Sequence, residues 1–250
     1  MKLSLTARTF IALIVALGLA VLGDAIFQAN AIDTPRFVAF LLVACLAARL
    51  KVKLPGVTGT MSVNLPFILV TVAEMSLVEA LIVGCVSNLV QCLPRSKQQF
   101  NWVQAVFNFN TMALAVGTTR LIYGSATLAA DVPSSSLRLA VAAAGFLLVN
   151  TVPVAIVMSL VETRNTVRIW VGIFQLTFPY FLASAGVAAV ALTLTQRLGW
   201  QVPVSILPLM LAIFYSYRRY FASPSEVLAD ALRKPTQSTQ TMAAGEEVRA

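Results

Sequence analysis

A chain of 250 residues with 58% hydrophobic and 11% charged residues, a mean hydropathy of +0.83 and no histidine is not an ordinary soluble domain. At roughly 20 apolar residues per membrane helix, the remainder is too short for a soluble catalytic domain of about 100 residues, and the missing histidine excludes Ser-His and Cys-His pairs and imidazole metal sites. The formal charge of +8 is spread between apolar runs rather than gathered on a solvated basic face, so nucleic acid is not an expected partner.

Apolar runs predict eight membrane segments, near 8–28, 35–50, 62–73, 77–93, 101–123, 138–161, 172–196 and 201–217. The expected fold class is all-α, a polytopic helical bundle over 1–221 with a short cytoplasmic helix and disordered tail over 222–250. The first run follows Lys2 and Arg8 and ends near Gly23-Asp24-Ala25, in the manner of a signal peptide. Its length from Thr9 to Phe27 and the runs that follow favour an uncleaved helix, with Ala12, Ala16 and Ala20 as a small-residue packing stripe. Between the second and third runs, the stretch from Lys53 to Asn64 carries two glycines and three hydroxyl residues. Its backbone is not expected to enter a helix before about Ser62, which suits a hinge or a pocket wall. It lacks the closing Gly-Lys-Ser/Thr of a phosphate-binding loop.

The third and fourth runs are short for a hydrocarbon core about 30 Å thick and are separated by Glu74-Met75-Ser76-Leu77-Val78-Glu79. They form either a tight helical hairpin or a re-entrant pair, and both return the chain to the side it left. Cys45, Cys85 and Cys92 lie in apolar stretches without CxxC spacing and read as packing residues. Pro153, Pro179 and Pro208 are expected to kink the sixth, seventh and eighth segments, with Pro179-Tyr180, beside Gln175, bordering any polar cavity. After Arg218-Arg219-Tyr220, the motif Ser223-Pro224-Ser225-Glu226 predicts a short helix running to about Arg233, before Pro235. Thr236 to Ala250 has the composition of a disordered end.

Orientation follows from lysine and arginine. With the N-terminus inside, the inner connections hold Lys2, Arg8, Arg49, Lys51, Lys53, Arg95, Lys97, Arg164, Arg168, Arg218 and Arg219, whereas the outer ones hold Arg36, Arg120, Arg138 and Arg197. This bias predicts both termini in the cytoplasm, with the lipid bilayer as the first partner. Trp102, Tyr123, Trp170, Trp200, Tyr215, Tyr217 and Tyr220 fall at the expected interfaces.

Polar side chains within the segments carry the functional reading, because an ion at mid-depth costs about 2.5–3.5 kcal/mol. Glu74 and Glu79 escape that cost in a solvated turn, and in a re-entrant arrangement they become an ion or proton site. Five residues apart, they would lie about 140° apart on one continuous helix, which argues against a paired-carboxylate acid–base site. The amides Asn64, Asn88, Gln91, Gln104, Asn108, Asn110 and Asn150 fall on four segments. Counted inward from the Arg95–Lys97 loop, Asn88 and Asn108 both sit roughly 10 Å deep, with Gln91 and Gln104 as a shallower layer. They serve either as interhelical glue, at about 0.6 kcal/mol per hydrogen bond, or as the lining of a cavity for a small neutral or zwitterionic ligand. Asn64, Asn88, Gln91, Gln104, Asn108 and Asn150 are the candidate ligand-binding set. No metal or cofactor is expected.

The segment Leu54-Pro55-Gly56-Val57-Thr58-Gly59-Thr60-Met61-Ser62-Val63-Asn64, with Ala73-Glu74-Met75-Ser76-Leu77-Val78-Glu79-Ala80-Leu81-Ile82-Val83-Gly84, resembles the N-terminal polytopic membrane module of bacterial diguanylate cyclases and HD-type cyclic-dinucleotide phosphodiesterases. The resemblance continues through Val90-Gln91, Val103 to Asn108 and Leu207 to Tyr220. It implies a sensor that signals through its last helix to an output domain, here replaced by about thirty residues. It transfers neither a ligand nor a catalytic residue. The leading expectation is therefore a non-enzymatic sensor or binding module that signals through a separate partner. The alternative is a substrate-capturing transporter subunit, with the alanine stripe as its docking surface. A lipid-directed enzyme using Glu74 or Glu79 ranks last, because no nucleophile–base pair or metal-ligand cluster accompanies them.

Overall fold

The computed structural model describes residues 4–28, 33–53, 60–93, 101–162, 165–199, 201, 206–216 and 219. Apolar composition and side-chain capping make it almost wholly helical. Helix α1 (Leu5–Phe27) starts at Ser4, whose side chain accepts from the Ala7 amide, and α2 (Thr34–Arg49) carries Pro35 in its first turn. Strands β1 (Lys51–Lys53) and β2 (Thr60–Ser62) pair antiparallel, with Lys51 opposite Ser62. After β2 come α3 (Leu65–Glu74) and α4 (Leu77–Cys92), divided at Met75 and Ser76. Ser76 and Glu79 form a reciprocal capping box, which starts α4 afresh rather than letting α3 continue. Helices α5 (Trp102–Tyr123), α6 (Ala126–Asp131), α7 (Ser135–Glu162) and α8 (Thr166–Leu198) follow, and then α9 (Leu207–Ser216).

Among the described residues, α1, α7 and the Thr166–Thr195 part of α8 are long and apolar enough to cross a membrane, while α3, α4 and α9 are shorter apolar helices. The all-helical expectation thus holds apart from the two three-residue strands and the unforeseen α6. The loop 54–59, the Arg95–Lys97 connection, the short helix expected over 223–233 and the tail beyond it lie outside the described residues.

Helix α3 is the centre of the bundle. It contacts α2, α4, α5, α7 and α8, and every residue from Leu65 to Val72 is buried. A helix apolar on all sides is shielded from water either by protein, as here, or by lipid. Around it, α2 packs on α4, α4 on α5, α5 on α1 and α7, and α7 on α8.

The alanine stripe of α1 corrects an expectation. Ala12, Ala16 and Ala20 are exposed, and α1 instead buries Ala7, Ile14, Gly18 and Ala25. Gly18 decides the rotation, since a Cβ there would lie 2.6 Å from Asn110 Cβ, so α1 and α5 meet closely only at that face. Gly84 does the same between α4 and α5, where a Cβ would lie 2.9 Å from Val116 Cγ2.

The side-chain contacts define two ends of the bundle. One gathers the start of α2, the end of α3, the starts of α4 and α7 and the end of α5, through Arg36, Glu74, Glu79, Arg120, Tyr123 and Arg138. The other gathers β1, β2 and the end of α4 through Lys51, Ser62, Gln91 and Leu93.

Candidate polar site at the start of helix α3

The third apolar run is a strand, a turn and a half-length helix. Ten residues of α3 rise about 15 Å, half of a hydrocarbon core, and the backbone at Val63-Asn64 is where strand becomes helix. Asn64 occupies the N-cap position, yet its side chain does not cap α3. It turns to β2 and α4 instead. Asn64 Nδ2 donates to Ser87 Oγ at 2.9 Å, and Ser87 Oγ donates to the Gly84 carbonyl at 3.1 Å. With its single proton given to Gly84, Ser87 accepts from Asn64, and this sets the direction of the Asn64 carboxamide. Ser62 Oγ then donates to Asn64 Oδ1 at 2.8 Å. Ser62 Oγ also lies 2.7 Å from Gln91 Oε1, and its one proton cannot serve both oxygens. With the Gln91 carboxamide turned over, Nε2 donates to Ser62, and the row runs without conflict from Gln91 to Ser62, Asn64, Ser87 and Gly84.

A fourth element closes the site. The Leu65 amide, in the first turn of α3, donates to the Tyr180 hydroxyl of α8 at 3.3 Å. Ser62, Asn64, Ser87 and Tyr180 are all buried, so each of these groups depends on its partners rather than on solvent. One turn along α8 from Tyr180, Ser184 Oγ is buried with no hydrogen-bond partner among the described residues.

The neighbouring face of α4 forms a second layer. Asn88 Nδ2 donates to the Asn108 carbonyl of α5 at 2.7 Å, and Asn108 Nδ2 donates to Cys92 Sγ at 3.6 Å. Helix α4 therefore shows Ser87 and Gln91 to β2 and α3, and Asn88 and Cys92 to α5, each pair one turn apart. The matched depth of Asn88 and Asn108 agrees with their contact.

The remaining candidate side chains fall elsewhere. Gln104 is exposed, with its backbone amide capped by Asn101 Oδ1, and is not part of the shallower layer with Gln91. Asn110 faces α1, donating to the Val106 carbonyl, with Oδ1 buried beside Gly18 and without a hydrogen-bond partner among the described residues. Asn150 is half-buried on α7, next to Thr151, which receives Trp170 Nε1–H at 3.2 Å. Gln175 and Pro179 are exposed on α8, and only Tyr180 of that trio turns inward. Ser87 was not among the expected site residues, although it carried a signal, since it precedes Asn88 and stands four residues before Gln91. Tyr180 was expected only as a border beside Pro179, and nothing in the sequence pointed to its bond with the first turn of α3.

The carboxylates sit at the opposite end of α3. Glu74 Oε2 pairs with Arg36 Nη2, the two side chains being 14% and 22% exposed. Arg120 Nη1 donates to the Val72 carbonyl at 2.5 Å, placing a cation on the negative end of the α3 dipole. Glu79 Oε2 accepts from the Ser76 amide at 2.9 Å and the Ser76 hydroxyl at 2.6 Å. The capping box explains why the chain needs Glu79 at this position. Arg138 lies over the Tyr123 ring, 5.4 Å from its centroid. Among the described residues no three His, Cys, Asp or Glu side chains are grouped as metal ligands, and all three cysteines are free.

Comparison of the chain with family profiles, characterised proteins and solved structures gives no match.

Proposed function

We propose that the chain is a non-enzymatic inner-membrane module that binds a small neutral or zwitterionic molecule at the start of α3 and passes occupancy to a separate signalling partner. The observation that carries this reading is the interrupted segment β2–α3. Non-helical backbone is tolerated at membrane depth only where protein or a cavity covers it, and such interruptions recur where membrane proteins bind solutes. Here the interruption is lined by a serine, a carboxamide and backbone from β2–α3, a serine and a carboxamide from α4 and a tyrosine hydroxyl from α8. These groups offer donors and acceptors without net charge, which suits a ligand of no net charge.

In this reading eight segments traverse or enter the bilayer and both termini are cytoplasmic. The lysine and arginine bias supports that orientation. So does the engagement of Arg36, Arg120 and Arg138 with Glu74, the Val72 carbonyl and the Tyr123 ring, which accounts for cations on the outer side. The resemblance to cyclic-dinucleotide signalling modules supports a sensing role. The second reading, a transporter subunit, is favoured by one feature, the exposed stripe of Ala12, Ala16 and Ala20 on α1, which would seat a partner helix.

A thermal-stability screen of the full chain in detergent against small metabolites tests the binding reading. A ligand present at 100 times its Kd stabilises by about 2.7 kcal/mol. That shift is expected to vanish in Gln91→Leu and to persist in Gln104→Leu. A stabilising ligand whose effect is equal in both variants refutes the site. Co-purification of an ATPase in mild detergent would replace sensing with transport.

A further inference from the structure

The face of α8 that turns away from the bundle carries a polar group where lipid should be. Gln175 is exposed and has no hydrogen-bond partner among the described residues. It stands within the apolar span Thr166–Thr195, five residues beyond the interfacial Trp170 and so about 7 Å further along the helix toward the hydrocarbon core. The same residue has a second unmet group. Pro179, four residues on, has no N–H to give to the Gln175 carbonyl. Two amide donors and two carbonyl acceptors thus face hydrocarbon at one level, an arrangement that membrane helices resolve by finding a partner.

The surface around Gln175 is shaped for a second helix. At 100° per residue, Gly172, Gln175, Pro179, Leu182, Gly186 and Val190 fall within about 80° of one face. All six are exposed or half-exposed, and a Cβ built on Gly172 or Gly186 would meet nothing within 4 Å. The glycines let another backbone come close on either side of the glutamine.

We propose that this face joins two copies of the chain, related by a two-fold axis along the membrane normal, with the two Gln175 carboxamides donating to and accepting from each other. A carboxamide is its own complement, having both donors and an acceptor. A two-fold axis brings identical residues to identical depth, so the match that a foreign helix would have to supply is supplied by symmetry. The proposal requires only that α8 lies in a membrane. It is independent of any ligand at the start of α3.

The test uses the full chain in native membranes. Oxidation with copper–phenanthroline is expected to cross-link Leu182→Cys into a dimer, while Leu148→Cys, 46% exposed on α7, gives no more product than the parent with its native cysteines. Adding Gln175→Leu to Leu182→Cys should reduce the cross-link. In detergent, sedimentation should show Gln175→Leu self-associating about 3- to 30-fold more weakly. The thermal stability of the monomer should not change, because Gln175 has no hydrogen-bond partner among the described residues of its own chain. Cross-linking of Leu182→Cys at the level of Leu148→Cys overturns the proposal, as does cross-linking that Gln175→Leu leaves untouched.

Discussion

The last turn of α3 is held by ions and its first turn by neutral groups. At the last turn, Arg36 pairs with Glu74, and Arg120 reaches the Val72 carbonyl. At the first, Ser62, Asn64, Ser87 and Tyr180 do the same work with hydroxyls and carboxamides. The difference follows depth. In the membrane reading the last turn lies at the outer surface, where ions keep part of their hydration, and the first lies near mid-bilayer, where an ion costs about 2.5–3.5 kcal/mol. A half-length helix therefore needs two kinds of anchor, one electrostatic and one by hydrogen bonds, because its ends meet different solvents.

Five variants probe this contrast, each read by denaturation of the purified chain in detergent. The largest loss is expected from Glu74→Ala, which strands the half-buried Arg36 guanidinium; it falls between the ~1 kcal/mol of an exposed pair and the ~3–5 kcal/mol of a fully buried one. Replacing both partners, as Arg36→Met with Glu74→Leu, should recover much of that loss, and equal instability of the single and double variants would show the ions are not the anchor. Next, Asn64→Leu removes the centre of the neutral row and leaves the Ser62 and Ser87 hydroxyls short of a partner, at about 2 kcal/mol. Raised salt should weaken the electrostatic anchor and leave the stability difference between Asn64→Leu and the parent unchanged. The smallest effect belongs to the joint between α3 and α4. Ser76→Ala breaks the capping box for about 1 kcal/mol, and Glu79→Gln, which keeps an acceptor, should cost less.

Level along the helices was legible in the sequence, and rotation was not. Counting residues from a charged loop placed Asn88 and Asn108 at one level, and they meet there. The same counting paired Gln91 with Gln104, but Gln104 turns outward. Rotation about a helix axis is normally read from the apolar stripe of an amphipathic helix. Lipid is as apolar as a protein core, so a helix such as α1 is hydrophobic on every side and the stripe vanishes. That is why the alanines of α1 looked like its packing face when Gly18, two residues from Ala16, makes the contact. The interruption before α3 was legible because glycines and hydroxyl residues mark it. The pairing of β1 with β2 was not, since three-residue strands leave too short an alternation to read.

The row from Gln91 to Gly84 has two self-consistent settings and no mixtures. In one, every proton points toward Gly84; with both carboxamides turned over, Ser87 donates to Asn64, Asn64 to Ser62 and Ser62 to the Gln91 oxygen, and the Gly84 carbonyl goes without its extra donor. Under the proposed function, a ligand that engages Gln91 would select between them. The news then arrives, three groups later, at the one glycine where α4 rests directly on Val116 of α5.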